Sequence, residues 1–133
     1  MISLLDTNVI LRFLTADKNS KYENLYSFFN SIEKGEMHVE LKLIIFFQVV
    51  FVLKSFYKVP KEHIAEKLLT LLGYKGITIK EKKIVYRTLE LWRDKNIDIV
   101  DCYLIACMEC DRQNLLYSYD RDFDSFNITR IEP

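Results

Sequence analysis

Apolar positions recur along this chain in two kinds of pattern, and the spacing in each stretch predicts an element. Ile2, Leu4 and Leu5 form a compact run closed by Asp6-Thr7-Asn8. That is the pattern of a buried parallel strand ending in a polar edge. Thr7 or Asn8 then caps a short helix over Val9 to Thr15. After the polar break Asp17-Lys18-Asn19-Ser20, Tyr22, Leu25, Phe28, Phe29 and Ile32 recur at three- and four-residue spacing. They predict an amphipathic helix that stops near Lys34-Gly35. Met37 and Val39 suit a short strand. Lys42 to Tyr57 is the most apolar stretch, and its sixteen residues are too many for an ordinary strand. It reads as a central helix packed on most sides.

Pro60 opens the next helix, which runs to Leu72 with Ile64, Leu68, Leu69 and Leu72 inward and Gly73 closing it. These two helices make a natural hairpin. Gly76 to Ile79 reads as a strand, and Lys80 to Arg93 as a helix with Ile84, Val85, Leu89 and Trp92 on one stripe. Asp94-Lys95-Asn96 is a loop. A helix from Asp98 to about Arg112 carries Ile99, Cys102, Tyr103, Ala106 and Cys107 at helical spacing. Leu115 to Tyr119 is a strand that ends in Asp120-Arg121-Asp122, and Ile128 to Ile131 is the last strand. Strands alternating with helices argue for a three-layer α/β/α fold with a mainly parallel central sheet. At 133 residues the chain is expected to be a single domain, 1–133.

Composition changes that picture little. With 50% hydrophobic residues and 14% aromatic, a disordered chain is excluded. Lys and Arg together number 19, as do Asp and Glu, so nucleic acid would have to be held by a local basic patch. Cys102, Cys107 and Cys110 are odd in number and crowd one helix, which fits buried or half-buried thiols in a reducing cytoplasm. Cys107-Met108-Glu109-Cys110 has no second pair or histidine near it to make a zinc site. His38 and His63 are isolated and expected at the surface. The start lacks a signal-peptide pattern, and Leu43 to Leu53, interrupted by Gln48, is too short to span a bilayer. A soluble cytoplasmic protein is expected.

The chemistry lies in the acids. Asp6 ends the first strand, Asp98 and Asp101 start a helix, and Asp120 ends a later strand with Asp122 just beyond. In an open α/β sheet, ligands bind at the strands' C-terminal edge. Carboxylates packed there repel one another unless a cation intervenes. Hard oxygen ligands suit Mg²⁺ or Mn²⁺, and such a site activates water against a phosphodiester. Each acid also has a bland reading. Asp6 and Asp98 suit helix caps, and Asp122 suits a cap of the following turn or an outer ligand. Asp101 lies one turn into its helix on the apolar side, where an unpaired carboxylate is costly, and is the stronger ligand candidate.

These residues resemble the PIN-domain proteins, in particular the VapC-type toxin ribonucleases of toxin–antitoxin pairs. The resemblance is carried by Leu4-Leu5-Asp6-Thr7-Asn8, by Gln48 to Leu53, by Ile97 to Ala106 and by Ser118 to Phe123, in order over nearly the whole chain. It implies a PIN-like α/β/α fold with a protruding helical hairpin over Lys42 to Leu72, and Mg²⁺- or Mn²⁺-dependent endoribonuclease activity. Asp6, Asp101 and Asp120 match the family's metal-binding acids. Asp122 matches an additional acid, and Asn8 and Ser118 match polar pocket positions. An RNA substrate, a cognate antitoxin and a homodimer follow from the same resemblance. One position departs from the pattern: Gln48 stands where the family usually has glutamate, which keeps size and an acceptor oxygen but removes a charge. Glu40, eight residues earlier, is a poor substitute.

Three functions compete. The first is a metal-dependent ribonuclease toxin, with Arg12 and Arg121 as RNA-binding candidates and Lys42 and Lys54 behind them. The second is a silent PIN-fold module that binds RNA or protein, its catalysis removed by Gln48. The third uses Asp6 as a phosphoryl-accepting nucleophile. That chemistry wants a second acid where Asn8 stands and a lysine closing a later strand, which Tyr117-Ser118-Tyr119-Asp120 does not supply.

Overall fold

Helical spacing of apolar side chains decides most of the architecture. The computed structural model describes residues 1–16 and 20–133, so Asp17, Lys18 and Asn19, the heart of the expected polar break, lie outside the described residues. The chain divides into two units, Met1–Lys82 and Lys83–Pro133.

The first unit contains α1 (Thr7–Leu14), α2 (Leu25–Lys34), α3 (Leu43–Ser55) and α4 (Lys61–Leu72). A 3-10 turn at Ser20–Tyr22 precedes α2, and Gly35 closes α2 with a left-handed φ of 81°. β1 (Val39–Glu40) pairs in parallel with β2 (Ile77–Thr78), with Val39 opposite Ile77 and Glu40 opposite Thr78. The opening run is less than the buried strand its pattern predicts. Glu40 N donates to Ser3 O at 2.7 Å and Leu5 N to Glu40 O at 3.3 Å, leaving a single parallel bridge from Leu4 to Glu40. Leu5 is buried, but Ile2 and Leu4 are 69% and 58% exposed. With α1 already starting at Thr7, only those two backbone bonds form before the chain turns.

α3 is a helix, as its length requires, but it is not packed on most sides. Phe46, Val49, Val50 and Leu53 fall on one face at three- and four-residue spacing and are buried, while Ile44 and Phe51 are exposed. α3 packs on both α1 and α4, so the expected hairpin forms. Ile64, Leu68 and Leu72 of α4 are fully buried, whereas Leu69 is only partly so. Phe13 of α1 stacks on Phe29 of α2 with ring centroids 4.0 Å apart.

The second unit takes almost all of α5 (Lys82–Asp94), then α6 (Ile99–Cys110), β3 (Leu116–Tyr117), a 3-10 turn at Arg121–Ser125 and β4 (Arg130–Ile131). β3 and β4 pair in parallel, with Leu116 opposite Arg130 and Tyr117 opposite Ile131. Val85, Leu89, Trp92, Ile99, Cys102 and Ile105 are buried, and Phe123 is buried in the turn that follows β3. Strand pairing is thus parallel in both units and helices dominate each, the α/β class expected from the sequence. Cys102 is buried and Cys107 partly so, but Cys110 is exposed, because it is the last residue of α6. His38 and His63 are exposed as expected. No helix among the described residues is long and apolar enough to cross a membrane.

Gly76 fixes the approach of β2 to the end of α2. Its N–H donates to Ile32 O and its carbonyl accepts from Val39 N, both at 2.8 Å. A Cβ there would collide with Met37 O and lie 2.8 Å from Ile32 O, both backbone atoms that cannot rotate away. Gly76→Ala is therefore expected to lower unfolding free energy by about 1–3 kcal/mol in urea titration, the cost of overpacking a tight site. An unchanged midpoint would show that this backbone approach is not a constraint.

Candidate active site

In the first unit the polar residues after the opening run form a linked set. Asp6 is the N-cap of α1, in extended backbone geometry, and its Oδ1 accepts from Thr7 N at 2.8 Å. The cap is therefore Asp6 itself and not Thr7 or Asn8, which lie in the first turn with Asn8 exposed. Thr7 is buried, and its hydroxyl donates to Gln48 Oε1 on α3 at 2.5 Å. Gln48 is exposed on its helix, with its amide oxygen taken by Thr7 and its NH₂ left as a donor. A glutamate held the same way would offer a second acceptor oxygen there. Glu40 does not replace it: it sits in β1, ahead of α3, in an ion pair with Lys42. Arg12 lies 4.1 Å from the centroid of the Tyr22 ring, a cation–π contact that occupies this RNA-binding candidate locally.

The second unit gathers the other acids. Asp98 is the N-cap of α6 with extended backbone, yet its carboxylate makes no capping hydrogen bond. Asp101 is in the first turn and partly buried. Its carboxyl is pushed above the ordinary aspartate range, first by burial and then by the negative charges of Asp98, Asp120 and Asp122. Asp101 thus lies within the field of the other three acids. Asp120 and Asp122 are exposed on the loop that follows β3, where local hydrogen bonds set the backbone. Ser118 Oγ accepts from Asp120 N at 3.0 Å, and Asp120 Oδ1 accepts from Asp122 N at 2.9 Å. Asp122 O in turn accepts from Ser125 Oγ at 2.9 Å. Arg121 is exposed at the start of the same turn.

This donor set is all carboxylate oxygen with unbalanced charge, which fits a hard divalent cation and no soft one. Among the described residues no three or more His, Cys, Asp or Glu are grouped so as to hold a metal ion. The fit is therefore one of chemistry and charge.

Residues 3–128 match the PIN domain. The chain belongs to the PIN domain family. It is also 26% identical over 136 residues to a VapC ribonuclease of Aquifex aeolicus (strain VF5), a match that covers 99% of this chain and 97% of that protein.

Sequence reading missed what anchors the acidic loop of this PIN domain. Arg130 of β4 grips Asp124 at two points, Nε to Oδ1 at 2.8 Å and Nη2 to Oδ2 at 3.0 Å. Its Nη1 donates to Ser118 O at 2.9 Å and to Glu132 Oε1 at 3.1 Å. One guanidinium thus ties both ends of the 118–124 loop to the last strand, and the hydrogen bonds it donates to Asp124 chiefly hold the Arg130 pKa above the usual arginine value. Nothing in the spacing signals this, because the partners are brought together only by the β3–β4 pairing. Thr7 was legible only as a possible cap, and its bond to Gln48 depends on α1 packing on α3.

The raised Asp101 pKa has a signed consequence. Between the ordinary and the raised value the folded state binds more protons than the unfolded, so stability falls as pH rises through that window. Above it the penalty is complete. Asp101→Asn is therefore expected to raise the thermal midpoint at neutral pH by up to about 2 °C, with the gap closing below about pH 4. A lower midpoint for Asp101→Asn at neutral pH would contradict the charge crowding.

Proposed function

We propose that this PIN domain is a Mg²⁺- or Mn²⁺-dependent endoribonuclease, the toxin of a type II toxin–antitoxin pair, whose activity is weakened by Gln48. The observation that carries the reading is the group of carboxylates whose negative charge reaches Asp101, in a member of the PIN family related to a VapC ribonuclease. Asp6, Asp101 and Asp120 are the proposed metal-binding acids, with Asp98 and Asp122 as outer carboxylates and Asn8 and Ser118 as polar lining. A divalent cation bound there would supply the positive charge that water needs to attack a phosphodiester.

The chain's own residues would act as follows. Burial and three acidic neighbours make ionisation of Asp101 costlier than usual, and a positive charge bound beside them would offset that cost. Ser118 Oγ fixes the backbone that carries Asp120, and Asp120 in turn orients Asp122. Thr7 holds the Gln48 side chain by its oxygen, where a glutamate would be held equally well and would add a charge. By the same resemblance we assign a cognate antitoxin and a homodimer, acting in the cytoplasm as an expected location.

A second reading is favoured by one observation, the neutral amide of Gln48 at this position. It makes the chain a silent PIN-fold module that binds RNA or protein without cutting.

Cleavage of a structured RNA panel with Mg²⁺ or Mn²⁺ separates the two. The unmodified chain is expected to cut slowly, Gln48→Glu to gain roughly tenfold or more, and Asp6→Asn to lose about a hundredfold. If no version cuts RNA or binds metal, the enzymatic reading fails and the binding module takes its place. Mn²⁺ at saturating concentration is also expected to raise the thermal midpoint of the unmodified chain, and Asp101→Asn to abolish that rise.

A further inference from the structure

Beside the acidic loop the second unit has a cavity of about 440 Å³, lined by Lys95, Asn96 and Ile97 from the α5–α6 connection and by Arg121, Asp122, Ser125 and Phe126 from the turn after β3, so that Ile97 and Phe126 share its apolar side. Its size lies in the range of pockets that hold small ligands. Its lining is mixed in a particular way. Two cations outnumber one carboxylate, an amide and a hydroxyl supply neutral hydrogen-bonding groups, and a partly exposed phenyl ring supplies an apolar face.

We propose that this cavity is a nucleotide subsite for the RNA strand next to the cleaved bond. Lys95 and Arg121 take backbone phosphate, and Phe126 takes the face of a base. The proposal rests on the ribonuclease reading and deepens it, because Asp122 belongs both to the cavity wall and to the group of acids around Asp101. A strand seated in the cavity therefore passes the carboxylates without a separate docking surface. Acidic and basic groups divide the work here: the cations hold phosphate that the carboxylates alone would repel. A single-stranded substrate is implied, since a base must leave its stack to meet the ring. Asn96 and Ser125 can hydrogen-bond a base edge, but the charge and the ring act on any sequence.

The test measures binding of an end-labelled oligoribonucleotide by fluorescence anisotropy in EDTA, with the full chain at several salt concentrations. Lys95→Gln and Arg121→Gln are each expected to weaken binding several-fold and to lower the slope of log affinity against log salt by about 0.7. Phe126→Leu is expected to weaken binding roughly five- to tenfold with no change in slope. Arg112→Gln, a cation outside the cavity lining, serves as the control and is expected to change neither. If the unmodified chain cuts or binds RNA and the three variants match it in affinity and slope, the cavity is not the subsite. RNA that is bound through these residues but never cut with any metal would uphold the subsite and overturn the enzymatic reading. Failure of the unmodified chain to bind any RNA removes the proposal.

Discussion

Negative charge crowded onto the half-buried Asp101 is the constraint on which the acidic end of the second unit turns. Asp98 and Asp101 occupy the start of α6, and Asp120 and Asp122 occupy the loop after β3. A helix start tolerates acids well, since its exposed N–H groups favour negative charge. That accounts for Asp98 and Asp101 separately, but not for the second pair brought into the field of Asp101. A fold selected only for stability would place a lysine or arginine among them. Arg121 is the basic residue within the Asp120–Asp122 segment, and burial and three like charges still prevail at Asp101. On the proposed reading, a bound cation would supply the balance that is missing there.

The loop is therefore held by means that do not cancel its charge. Ser118 and Asp120 bond to backbone N–H groups two residues ahead, short-range turns that need no partner from elsewhere. Arg130 works from outside, gripping Asp124 and the Ser118 carbonyl rather than Asp120 or Asp122. Its positive charge goes to an acid that flanks the cluster. The arrangement fixes the backbone of the acids without neutralising Asp120 or Asp122 through Arg130.

Much of this was legible in the sequence, for identifiable reasons. The helices followed from three- and four-residue spacing, a signal that survives over ten or more residues, and their observed ends differ from the expected ones by a few positions. Strands were harder, since runs such as Ile2 to Leu5 carry only three apolar residues and pairing decides their fate. Leu4 makes one bridge where a strand was expected. The acids could be named as candidates because aspartates at element ends are visible in any register. The 3-10 turn at Arg121–Ser125 was seen only as a possible cap, and the Arg130–Asp124 pair was not seen at all. Neither has a periodic signal: one arises from local side-chain bonds, the other from strand pairing.

Gln48 shows why position and charge have to be argued separately. Its side chain is held by Thr7, the residue that also donates its N–H to Asp6, so α1 and α3 fix the geometry of this corner through one buried threonine. None of those bonds depends on Gln48 being neutral, because a carboxylate oxygen accepts from a hydroxyl as well as an amide oxygen does. The fold therefore exerts no pressure against glutamate here through hydrogen bonding. What the amide changes is the field: it spares the corner around the Asp6 cap a second negative charge and with it a repulsive cost. On the proposed metal-dependent reading, the same neutrality would withhold one of the charges that bind the cation, so that stability and metal affinity would pull in opposite directions at this single residue.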